Sequence, residues 1–170
     1  RYVINFYISG LIQDLMYSRF SKAFYFLTIA FFLIVFLYIY SASREFVSYE
    51  VSDTGMPLKQ ITRDMFFYIT VTVFLVSNLI LVIPAKLIEL QYTLKLKRLF
   101  PRGDAFRDHM LAWIYSFTGI LNISLVIIVF YIHSISNQNE IKSHEFNFFF
   151  YLIPVFFVLW VLGLFFILSK

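Results

Sequence analysis

AFYFLTIAFFLIVFLYIYSAS, residues 23–43, carries no charged side chain. As a helix it is long enough to cross a bilayer, whose ~30 Å of hydrocarbon takes roughly 20 residues. Met65–Ala85, His109–Asn139 and Phe146–Ser169 share the property. Backbone N–H and C=O groups find no water in lipid, so such runs cross as helices that satisfy their own hydrogen bonds. The expected fold class is an all-α integral membrane protein, a four-transmembrane-helix bundle. Its spans fall at about 23–43, 65–85, 109–133 and 146–169, within a single membrane domain covering 1–170.

Composition agrees. Of 170 residues, 61% are hydrophobic and 14% charged, against about 45–50% and about 25% in soluble domains. Aromatic residues make up 22% of the chain, with 23 Phe and 12 Tyr; we read these as lipid-facing bulk and interfacial belts. There is no cysteine, which removes disulfides, thiolate metal sites, iron–sulfur clusters and thiol catalysis together. Residues 23–43 exceed a signal-peptide core and lack a small-x-small cleavage pattern. Because the sequence starts at Arg1 rather than Met, we expect it to be part of a longer protein.

The basic residues give an orientation. Ten of the 14 Lys and Arg fall on one side of the expected spans: Arg1, Arg19 and Lys22 before the first, Lys86, Lys95, Lys97, Arg98, Arg102 and Arg107 between the second and third, and Lys170 at the end. Only Arg44, Lys59, Arg63 and Lys142 fall on the other, where Glu45, Glu50, Asp53, Asp64, Glu140 and Glu145 also lie. Short loops rich in Lys and Arg stay in the cytoplasm, so both termini are expected to be cytoplasmic. The net charge of +4 is thus read as a signal of topology and anionic lipid, with no nucleic-acid partner.

Before the first span, residues 1–22 read as an N-terminal amphipathic interfacial helix, with Ile4, Ile8, Leu11, Ile12 and Leu15 on one face. A helix packed on a partner subunit is the alternative. Thr54-Gly55-Met56-Pro57 marks a turn in the first outer loop, and Thr62 is the expected cap of the second span, with Asp64 in its first turn. Pro84 and Pro154 are expected to bend their helices. Residues 86–108 read as a basic cytoplasmic hairpin in which the second helix continues to Arg98, Phe100-Pro101-Arg102-Gly103 breaks it, and Asp104 caps the next helix.

Chemistry is sparse. No Asp, Glu, Lys or Arg stands near the middle of a span, which speaks against proton relays, ion-coupled pumps and voltage sensors. Asn78 and Asn122 are the deep amides, expected to bond across helices. Ala112, Ser116 and Gly119 follow at helical spacing, with Asn122 one turn on, and this small-residue stripe is expected to let another helix approach. His109 and His133 stand about 36 Å apart along one helix and cannot share a haem. His133, Glu140, His144 and Glu145 match no metal pattern, and no hydrolase or phosphate-loop motif is present. Asp104, Arg107, Asp108 and His109 read as a cap with interface charges. We therefore expect no enzyme activity and no catalytic, cofactor or metal site.

The reading that follows is an accessory or scaffolding subunit of a larger membrane complex. Ala112, Ser116, Gly119, Asn122 and Asn78 would make its helix contacts, and Lys95, Lys97, Arg98 and Arg102 would meet anionic lipid or other membrane subunits. A bacterial inner membrane is expected, with an organellar inner membrane as the alternative. The competing function is a small oligomeric transporter or lipid-handling protein lined by Thr70, Ser77, Asn78, Ser116 and Asn122. A weaker one is a membrane enzyme acting on lipid or quinone around 104–109.

Overall fold

The computed structural model describes residues 2–52, 57–137 and 147–169, with the side chains before Ser18 and those of residues 51, 147, 149 and 150 outside the description. Its elements, in chain order, are α1 (Tyr2–Ala42), β1 (Phe46–Val51), β2 (Pro57–Thr62), α2 (Arg63–Leu90), α3 (Leu94–Leu99), α4 (Ala105–Ser136) and α5 (Asn147–Leu168). Among the described residues, four helices are long and apolar enough to cross a membrane, through Ser18–Ala42, Arg63–Leu90, Ala105–Ser136 and Tyr151–Leu168. The chain is a membrane protein, largely helical.

Leader and first span form one helix without a break, 41 residues or about 60 Å long. The expected apolar face of the leader, from Ile4 to Leu15, lies outside the described side chains. So do Thr54–Met56 of the expected turn, and Glu140, His144 and Glu145.

α4 is the central mast. It packs along α1 and α2, and also receives α5 and β1. Two apolar clusters fill the space between α1, α2 and α4. Toward the β-hairpin end lie Phe32, Phe36, Phe66, Phe74, Leu125 and Val129; toward the α3 end lie Tyr25, Ala85, Ile88, Leu111, Ile114 and Tyr115. Stacked rings of Phe32 and Phe74, 4.2 Å between centroids, join α1 to α2. α5 stands apart. None of its described side chains is buried; it leans on α4 through Phe117 and Phe157, edge to face at 5.5 Å, and through the Trp113 indole, which donates to the Trp160 carbonyl at 2.9 Å. The bundle is thus a three-helix core with a lateral fourth helix.

Two features depart from the sequence reading. First, the loop between α1 and α2 is an antiparallel hairpin of β1 and β2, with Val47 opposite Ile61. The alternation at Val47, Tyr49 and Val51 was short enough to pass for loop, but Val47 plugs the end of the helical core. Second, α2 stops at Leu90 instead of running on to Arg98. Gln91 adopts a left-handed conformation (φ 52°) and its side-chain amide donates to the Phe100 carbonyl at 2.7 Å. Thr93 then caps α3 by accepting from the Leu96 N–H. The break folds Leu96 and Phe100 back onto the apolar cluster, where a straight helix would carry them away from it. Gly103, at φ 82°, makes the turn into α4 in a conformation that a Cβ would strain.

The caps fall where expected. Thr62 accepts from the Met65 N–H and Asp104 from the Phe106 N–H, each satisfying one orphan donor of a helix start.

Candidate functional site

Polar groups tie the bundle at three depths, twice between the three core helices and once between α4 and the hairpin. The middle tie lies between the two apolar clusters. Asn78 Nδ2 donates to Asn122 Oδ1 at 2.8 Å, and Asn122 Nδ2 donates back to Asn78 Oδ1 at 3.3 Å. Asn122 Nδ2 also reaches Thr28 Oγ1 at 3.4 Å, while the Thr28 hydroxyl donates to the Tyr25 carbonyl and Asn78 Nδ2 to the Phe74 carbonyl, both at 2.8 Å. All three residues are buried, Asn122 completely. An amide pair of this kind bonds α2 to α4 in both directions and uses the donors and acceptors that would otherwise hold water.

Gly119 serves the same closure. A Cβ there would stand 2.5 Å from Phe24 Cε1 and 3.4 Å from Thr28 Oγ1. The missing side chain is what lets α1 approach, in the manner of small-residue contacts in membranes. The small-residue stripe therefore divides: Gly119 and Asn122 face the core, whereas Ala112 and Ser116 line a cleft of 410 Å³ shared with α5. The residues occupy a broad arc of α4, so two neighbours meet its opposite edges.

At the α3 end the tie is ionic. Glu89, in the last turn of α2, accepts from Lys22 of α1, from Lys86 at 2.7 Å and from the Tyr115 hydroxyl of α4 at 3.3 Å. Its backbone carbonyl accepts from Arg107 Nη2 at 3.2 Å, and Arg107 Nη1 pairs with Asp108 at 3.1 Å. The Lys22 ammonium also lies over the Tyr115 ring, 5.5 Å from its centre. One carboxylate thus joins α1, α2 and α4. Comparison with family models, with curated proteins and with solved structures finds no match.

The third tie is at the hairpin end. Ser136 Oγ accepts from the Ser48 N–H and donates to the Ser48 carbonyl, both at 2.9 Å. Gln60 donates to Ser48 Oγ at 3.1 Å, and the Arg63 N–H to the Glu45 carbonyl at 2.9 Å. Outside the spans, Lys59 contacts Glu50 at 2.5 Å, and this hydrogen bond raises the lysine's pKa above its usual value.

The remaining expected site residues lie elsewhere. Lys95, Lys97, Arg98 and Arg102 are exposed at the α3 tip, together with the apolar Tyr92, Leu94 and Leu99. Asp104 is a helix cap, Asp108 holds Arg107, and His109 Nδ1 lies 2.6 Å from the Ala105 carbonyl. Among the described residues no group of three metal-ligating side chains converges.

Sequence reading missed Glu89. The available signal was a Lys86–Glu89 pair at i, i+3 spacing, joined to Lys22 just ahead of a span. The connection to Tyr115 needed the helix packing.

Proposed function

We propose that this chain is an accessory or scaffolding subunit of a larger membrane complex, with both termini and the α3 tip in the cytoplasm. The observation that carries this reading is the Asn78–Asn122–Thr28 cluster, closed on itself by interhelical hydrogen bonds. A conduction or transport path needs polar side chains turned toward a common space. Here Thr70, Asn78 and Asn122 are buried in the core, the Ser77 hydroxyl is held by the Val73 carbonyl, and Ser116 turns to the α5 cleft. The candidates for a transport path are dispersed.

The contact surfaces sit at the periphery. α5 turns a half-buried stripe to α4 and exposes the rest, including Val155, Val158, Leu162 and Phe165, which suits a neighbouring transmembrane subunit. The leader continues the axis of α1 for about 24 Å before Ser18, and supports either an interfacial position or a partner's flank. The α3 tip combines four exposed cations with exposed Tyr92, Leu94 and Leu99. Cations attract an anionic leaflet and apolar side chains enter its boundary, so anionic lipid is the favoured contact for this tip. A bacterial inner membrane is the setting we propose.

A photo-reactive residue at Val158 or Phe165, exposed on α5, tests the scaffold reading in the native membrane. Discrete protein adducts at both positions are expected. Lipid-only adducts, with extraction of a lone monodisperse chain, would overturn it.

A further inference from the structure

On the hairpin side of the Asn122 tie, a groove of 640 Å³ opens between α1 and α4, with walls from those two helices alone. The helices run parallel, Phe24 beside Gly119 and Thr28 beside Asn122. Ten residues on from Thr28 stands Tyr38, and ten on from Asn122 stands Ile132. Tyr38 therefore shares its level with Tyr131 and His133, which line the groove with it. Toward the mid-span tie the walls are apolar, among them Phe31, Ile34, Ile127 and Phe130.

Depth follows from the same register. The Thr28–Asn122 contact falls near the middle of both candidate spans, Ser18–Ala42 and Ala105–Ser136. Tyr38 lies about 15 Å from it along the helix, which is half of the ~30 Å hydrocarbon thickness. The groove thus covers one leaflet, apolar toward the bilayer centre and polar at the hydrocarbon boundary.

Three observations narrow the occupant. No Gly, Ala or Ser lines the groove, so another helix cannot come as close as α1 does at Gly119. No Asp, Glu, Lys or Arg lines it either, so a phosphate would find no counter-charge and an uncharged head is favoured. Finally, Phe31, Tyr38, Phe130 and Tyr131 bring four rings to one groove, which suits a planar ring packed by stacking or edge contact. A plain acyl chain uses neither the rings nor the polar end.

We propose that this groove binds an isoprenoid quinone. The planar head lies among Tyr38, Tyr131 and His133, and one quinone carbonyl accepts from the hydroxyl of Tyr38, an exposed residue. The isoprenoid tail descends past Ile34 and Phe31 toward the bilayer centre. The volume falls within the range of small-molecule sites, on the order of 300–1,000 Å³, whose walls are mainly apolar and aromatic with a few polar groups.

The test uses the purified, delipidated full chain in phosphatidylcholine nanodiscs, with azido-ring analogues of short-tail ubiquinone and menaquinone as probes. Irradiation should label α1 around Tyr38 and α4 around Tyr131, saturably. Unlabelled quinone should compete, and farnesol, which has the tail without the ring, should not. The ring that labels at lower concentration identifies the quinone class. Tyr38→Phe keeps the ring and removes the donor, and should weaken binding about 2–10-fold, the range of one neutral hydrogen bond. Ile127→Trp should fill the groove and abolish labelling while helical content by circular dichroism is unchanged. Ile34→Trp, at an exposed position, gives the same reading where Ile127→Trp misfolds. Absent saturable labelling, labelling spread over the other lipid-facing surfaces, or equal competition by farnesol overturns the site. Tyr38→Phe binding as tightly as the wild type overturns the assigned hydrogen bond.

Discussion

Asn78 and Asn122 exchange hydrogen bonds in both directions across the α2–α4 interface, and each amide supplies both donor and acceptor to the other. Their value is reciprocal, so removing one leaves the other stranded. Leu at either position alone, branched at Cγ as Asn is but with neither donor nor acceptor, should destabilise the fold by about 1–2 kcal/mol. The double substitution removes donors and acceptors together and should cost less than the sum of the singles. Steric-trap unfolding of all four proteins in bicelles measures this. Additive losses would mean that the pair is not coupled.

Glu89 holds the α3 end. With Lys22 29% and Glu89 22% exposed, the network is partly screened, and the cost of breaking it lies between that of surface and buried pairs, about 1–3 kcal/mol. Glu89→Gln should lower stability by this amount because Lys22 loses its counter-charge. Pairing it as Lys22→Met with Glu89→Met should restore most of the loss, since Lys86 is half exposed and can turn to water. If the double variant is worse than Glu89→Gln, the carboxylate acts as more than a counter-ion to Lys22.

Much of this arrangement was legible in the residues. Charge-free runs located four membrane helices, because lipid forbids an alternative backbone, and Thr62 and Asp104 marked helix starts by a local rule. Their exact ends were less visible: Arg63, Lys86, Glu89 and Arg107 all lie inside helices that hydropathy alone would have trimmed. What escaped was set by tertiary contact. Gln91 breaks α2 because Phe100 and Leu96 gain a core to rest on, and nothing local to Gln91 announces that. Likewise, Gly119 and Ser116 are one turn apart and look alike in sequence, yet one meets Phe24 and the other a cleft.

Ser136 fastens the hairpin by two bonds to one residue, Ser48. Ser136→Ala should free that backbone and speed amide exchange over residues 46–51, on the order of 5–10-fold. Exchange around Glu89 should not change. The Lys59–Glu50 pair adds a weaker, solvent-exposed clasp. Because its lysine pKa is raised, its contribution is present at neutral pH and is lost as pH rises through the raised value. Hydrogen exchange that spreads to the α3 end in Ser136→Ala would show that the hairpin is part of one cooperative unit with the whole bundle.

The proposed orientation places Arg102 and Lys59 on opposite sides of the membrane. The absence of cysteine makes this direct to examine, since one introduced thiol is the only target for an impermeant maleimide. Both positions are exposed, so access depends on sidedness. Lys59→Cys should label in intact cells, whereas Arg102→Cys should label only after permeabilisation. The physical basis is that the run from Tyr92 to Gly103 carries four cations and no acid, and such short loops are retained in the cytoplasm. Replacing Lys95, Lys97, Arg98 and Arg102 together by Gln should weaken that retention and yield a mixed labelling pattern. Labelling of Arg102→Cys in intact cells would reverse the orientation and remove the cytoplasmic leaflet as the partner of the α3 tip.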